Sequence, residues 1–99
     1  MPNLNKLLKE AQKMQEKIQE EIRSLVIEVS SGGGMVTVKM SGEKKLLSLS
    51  IDPSIISAGD REMLQDLILA AINEAASRVD ETVESKVGGL TAGLGLPGF

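Results

Sequence analysis

The apolar residues of this chain change their spacing twice, and those changes set the order of elements it can fold into. Over residues 3–24 they recur every three or four positions, at Leu4, Leu7, Leu8, Ala11, Met14, Ile18 and Ile22, with Leu25 next in line. At about 100° per residue they gather on one stripe, so the segment reads as an amphipathic helix with a seam like that of a short coiled coil. Pro2 and Asn3 suit its start, with Asn3 as the expected N-cap. About 22 residues at a helical rise make a rod of roughly 33 Å. Part of it is expected to project beyond its own core.

The period then drops to two. Residues 25–29 are short and β-branched, and residues 30–34, rich in Ser and Gly, read as a turn. In residues 35–40 Val36, Val38 and Met40 share one face, while Met35, Thr37 and Lys39 share the other. After a second turn at 41–44, residues 45–51 alternate Leu47, Leu49 and Ile51 against Ser48 and Ser50. Three such runs with short turns predict an antiparallel meander. Asp52 and Pro53 close the third strand, because Pro cannot continue a ladder.

Helical spacing returns over residues 60–87, at Met63, Leu64, Leu67, Ile68, Ala71, Ile72, Ala75, Val79, Val83 and Val87. Asp60 and Glu62 favour the start of that helix and Gly88 is the expected stop. Residues 88–99 hold five Gly and no charge, and read as a flexible tail. The expected fold class is α+β, in the order α-β-β-β-α, with one domain over 1–87 and a tail over 88–99. Open sheet edges invite pairing with a second copy.

Composition narrows the chemistry. Among 99 residues there is no Cys, His, Trp or Tyr, and Phe99 is the single aromatic. Thiolate and histidine-based catalysis lack their groups, and so do Cys/His zinc sites and disulfides. Aromatic stacking of bases lacks its platforms. No catalytic constellation can be named, so the expectation is not an enzyme, with no cofactor, no metal and no small-molecule substrate. No apolar run reaches about 18 residues and the N-terminus lacks a secretory core, which predicts a cytoplasmic protein without a membrane segment. The core must be aliphatic, a thin endowment that obligate oligomerisation would remedy.

The most informative polar feature is on the first helix. Lys6, Lys9, Lys13 and Lys17 are spaced three, four and four apart, along a stripe roughly opposite the apolar seam. Glu10, Glu16, Glu20 and Glu21 flank it, and by charge pattern alone a solvated, self-paired face is the plainer reading. The other reading is contact with a polyanion, each Lys neutralising one phosphate. Residues 1–45 carry a net charge of +2 and residues 46–99 carry −5. Any nucleic-acid surface is therefore expected on the first helix, with Lys39, Lys44 and Lys45 of the meander as possible additions. Gln12, Gln15 and Gln19 lie between the two stripes, so weak sequence preference is expected. The Gly32–Gly34 run is followed by no Lys-Ser/Thr and opens no helix, so it is a hairpin turn rather than a phosphate cradle.

Taken in order, LLKEAQKMQEKI at 7–18, GMVTVKMSG at 34–42, LSIDPS at 49–54, EMLQDLILAAINEA at 62–75 and the closing LPGF at 96–99 resemble the YbaB/EbfC family of nucleoid-associated proteins. The resemblance runs nearly end to end. It implies a homodimer joined through sheet and C-terminal helix, with the N-terminal helices projecting as arms, bound to duplex DNA on the nucleoid. Carried onto this chain, it implies DNA contacts from Lys6, Lys9, Lys13, Lys17 and Arg23, with Lys86 as a lesser contributor. Some members carry a more basic C-terminal segment, whereas this chain has no charge after Lys86. The alternative is a protein-interaction module that grips a partner through Leu4, Leu7, Leu8 and Met14, with DNA binding incidental.

Overall fold

A computed structural model describes the backbone of residues 3–94 and the side chains of residues 3–89. Helix α1 spans Leu4–Ser24. Its start is fixed as the sequence predicts: Asn3 Oδ1 accepts the Asn5 N–H at 3.0 Å, satisfying one of the free donors of the first turn. At the other end Leu25 turns to extended backbone (φ −65°, ψ 132°) and its N–H still reaches Ile22 O at 3.2 Å. The chain passes directly into the sheet.

Strands β1 (Val26–Ser31), β2 (Val36–Ser41) and β3 (Leu46–Ile51) form the expected antiparallel meander in the order β1-β2-β3. Gly32, Gly33 and Gly34 make the first turn with φ of 62°, 68° and 96°, a left-handed run that side-chain-bearing residues resist. The register pairs Val29 with Val38 and Val38 with Leu49. Between Lys39 and Met40 the β2–β3 ladder shifts, so Lys39 faces Ser48 but Met40 faces Leu46. Leu47 is thus the extra residue of a bulge. The expected alternation is corrected here: Leu46, not Leu47, continues the apolar face of Leu49 and Ile51.

Residues 52–60, expected as a loop, contain a short helix α2 (Pro53–Ser57). Asp52 caps it, accepting the Ser54 N–H at 2.9 Å, with Pro53 in the first turn. Ile55 is buried beneath it. Asp60 lies just before helix α3 (Arg61–Leu94) rather than inside it, and accepts the Met63 N–H at 3.0 Å. The predicted stop at Gly88 is also corrected. Gly88 and Gly89 are helical and α3 runs on to Leu94, since Gly lowers helix propensity by only about 1 kcal/mol and removes no donor. Of the expected tail, residues 95–99 lie outside the described residues.

The core is the contact between one face of the sheet and one stripe of α3. Val29, Val36, Val38 and Met40 pack against Ala71, Ala75 and Val79, all buried. The two alanines, one turn apart, let the helix backbone approach the strands closely. Ser31 pins the contact by donating its hydroxyl to Leu67 O at 2.7 Å. Helix α3 packs on β1 and β2, leaving Leu46 and Leu49 of β3 44% and 43% exposed. The molecule is elongated: its radius of gyration is 19.2 Å, against about 13 Å for a compact domain of this length.

Candidate nucleic-acid interface

The long first helix is set on the body at its C-terminal end. The β2–β3 turn presses against it, Gly42 donating its N–H to Leu25 O at 3.1 Å. A Cβ at Gly42 would drive into the carbonyl of Ile22, so only glycine permits this approach. A second attachment lies further out. Lys86 Nζ of α3 is 3.5 Å from Glu21 Oε2 of α1, beside a groove of about 300 Å³ lined by Met14, Lys17, Ile18, Glu21, Lys86 and Gly89. Ile18 and Ile22 are half-buried in these contacts. Towards its N-terminus α1 is increasingly bare, with Leu4, Leu7 and Leu8 all about half exposed or more.

On this arm Lys6, Lys9, Lys13 and Lys17 are all exposed. Helical geometry carries them over about 16 Å of axis, close to the rise of five base pairs of duplex DNA. Among the described residues the ion pairs are Lys44–Asp80, Arg78–Glu74 and Lys86–Glu21. None of them engages the four lysines. The flanking acids Glu10, Glu16 and Glu20 are exposed without pairing to the stripe, and Glu21 turns to α3 instead. The self-paired face allowed by the charge pattern is not what the geometry displays.

The remaining candidates sit differently. Arg23 is exposed beside Gln19, Ile22 and Glu43 at the base of the arm. Lys86 is half-buried and engaged with Glu21, so its first role is to brace the arm. Lys44 is bound to Asp80 at 2.7 Å, while Lys39 lies on the sheet face away from α3 and Lys45 is exposed in the second turn. Sequence reasoning missed the brace, whose partners are 65 residues apart, and the close approach at Gly42. Among the described residues no cluster of acidic side chains could hold a metal, and no helix is long and apolar enough to cross a membrane.

This sequence and fold have known relatives. The sequence profile of the YbaB/EbfC DNA-binding family matches residues 1–94. The chain belongs to this DNA-binding family. It is 50% identical over 97 residues to a nucleoid-associated protein of Koribacter versatilis, covering 98% of this chain and 96% of that one. With a nucleoid-associated protein of Acetivibrio thermocellus it shares 48% over 101 residues, covering 98% and 89%. The fold is similar to the crystal structure of an uncharacterised protein from Helicobacter pylori, with a TM-score of 0.74 and 29% identity over 88% of this chain and 91% of that one. Membership of the YbaB/EbfC family makes DNA the polyanion to set against the arm, and describes the chain by binding rather than by a reaction.

Proposed function

We propose that this chain is a homodimeric nucleoid-associated protein that clamps duplex DNA between its arms and organises the chromosome or regulates genes on it. In this reading it works in the cytoplasm, on the nucleoid. Lys6, Lys9, Lys13 and Lys17 make the phosphate contacts, Arg23 adds one at the base of the arm, and Lys86 contributes mainly by holding the arm in place. The observation that carries the reading is the unpaired lysine stripe on a projecting helix. Such contacts position a protein on the backbone without reading bases. Support for the homodimer comes from β3, an edge strand with Leu46 and Leu49 left open on the core-side face, which a monomer would expose as an aggregation-prone edge.

The bare leucines of α1 support a second reading, a module that grips a protein partner through Leu4, Leu7, Leu8 and Met14. One pair of variants separates the two. Lys9→Glu with Lys13→Glu abolishes binding to a labelled duplex and leaves the fold unchanged if the lysines carry function. Retained DNA binding in that variant, with loss in Leu7→Asp, would overturn the clamp.

A further inference from the structure

The lysine stripe does not run straight along α1. A four-residue step overshoots the helical turn by about 40°, so the series Lys9, Lys13, Lys17 winds around the helix as it nears the body. Lys17 ends in the wall of the groove that α3 completes with Lys86 and Gly89. The next place in the same four-residue series is Glu21. A carboxylate thus stands where a further lysine would extend the stripe.

The cation at that place comes from the other helix. Lys86 Nζ is 3.5 Å from Glu21 Oε2, and Lys17 lines the same groove. Two ammonium groups and one carboxylate therefore share it, and among the described residues Lys17 makes no ion pair. Both members of the Lys86–Glu21 pair keep part of their surface in solvent, so a polyanion lying along the stripe can reach them. A phosphate brought to Lys86 would also come close to Glu21, and like charges at short range oppose each other. That opposition needs only the charge of the carboxylate, not a strong ion pair. Together, Lys86 and Glu21 offer a phosphate no net charge.

We propose that Glu21 limits the affinity of the arm for DNA by masking Lys86, which would otherwise continue the lysine stripe across the groove onto α3. The inference rests on the clamp reading and deepens it by naming the residue that sets how tightly the clamp holds. One ion pair then has two consequences: it braces the arm on the body, and it withholds one cation per protomer from the phosphates. A clamp with a masked cation lets go of DNA more readily, and at lower salt, than its count of basic residues implies.

The test uses the full-length protein and a labelled duplex, with affinity measured across a series of salt concentrations for the wild type, Glu21→Gln and Glu20→Gln. Both substitutions remove one negative charge from the same turn of α1, but Glu20 is exposed and pairs with no cation among the described residues. Unmasking Lys86 adds one phosphate contact per protomer. Glu21→Gln should therefore steepen the log–log slope of the dimer by roughly 2 and tighten low-salt binding by about tenfold or more. Glu20→Gln should leave the slope unchanged, and adding Lys86→Ala to Glu21→Gln should return it to the wild-type value. An unchanged slope in Glu21→Gln, equal steepening in Glu20→Gln, or steepening that survives Lys86→Ala would each overturn the masking while a clear wild-type slope keeps the clamp. A flat wild-type slope would overturn both.

Discussion

Lys86 Nζ lies 3.5 Å from Glu21 Oε2 and joins α3 to α1 across 65 residues of sequence. The pair bears on one member of the lysine stripe, Lys17. Glu21 is the flanking acid spaced to meet Lys17 at i,i+4, and it reaches Lys86 instead. With Lys86 30% and Glu21 44% exposed, solvent screens the pair and it contributes less than about 1 kcal/mol. The expected signature is therefore local. Lys86→Ala raises amide exchange along α1 while the urea midpoint barely moves, and the swap of Lys86→Glu with Glu21→Lys restores the wild-type exchange.

Gly42 is the stricter constraint. Its Cα side faces the backbone carbonyl of Ile22, which cannot rotate away as a side chain could. Gly42→Ala should destabilise by about 1–3 kcal/mol and tilt the arm. Gly33 offers a contrast: a Cβ there meets open space, but φ is +68°, so Gly33→Ala costs about 1 kcal/mol from backbone conformation alone. Urea unfolding measures both, and amide exchange in α1 should change for Gly42→Ala and not for Gly33→Ala.

Asp52 titrates with the fold. Hydrogen bonds from the backbone and side chain of Ser54 hold its carboxyl below the ordinary value of 3.8. A depressed folded pKa means that the contribution is complete above 3.8 and is lost as pH falls through the lower folded value. Asp52→Asn keeps a capping oxygen and removes the titration. Below pH 3.8 the melting temperature of the wild type should fall more steeply with pH than that of Asp52→Asn.

The open face of β3 makes the proposed homodimer testable. Leu46→Glu with Leu49→Glu places charge where both side chains are already exposed in the protomer, so helical content should survive while sedimentation equilibrium reports loss of the dimer. For the wild type, coupling of folding to assembly predicts a melting temperature that rises with protein concentration.

The elements that could be read from sequence were those with a long, single period. Helix α1 and the β1–β2 hairpin follow directly from the three-and-four spacing of Leu4 to Ile22 and the alternation of Val36, Val38 and Met40. Helix α2 escaped because five residues are too few to display a period. The bulge at Lys39 and Met40 escaped because nothing in residues 46–51 distinguishes Leu46 from Leu47 until the strands are paired. Gly88 misled because Gly marks a helix stop only where the chain also turns, and here both Gly88 and Gly89 stay helical. For the interface, the lysine stripe was legible from spacing. The engagement of Glu21 with Lys86 was not, since that contact joins residues 65 apart through the tertiary fold.

The central claim is that four lysines on each arm hold DNA by its phosphates. Anisotropy of a labelled duplex, repeated across a series of salt concentrations, tests it most directly. With Arg23 included, two arms offer about ten phosphate contacts, so the log–log slope of affinity against salt should be clear but no steeper than roughly −9. Replacing Lys9 and Lys13 with Ala, which removes contacts without adding repulsion, should flatten it. A flat salt dependence in the wild type, or no binding at low salt, would contradict the account.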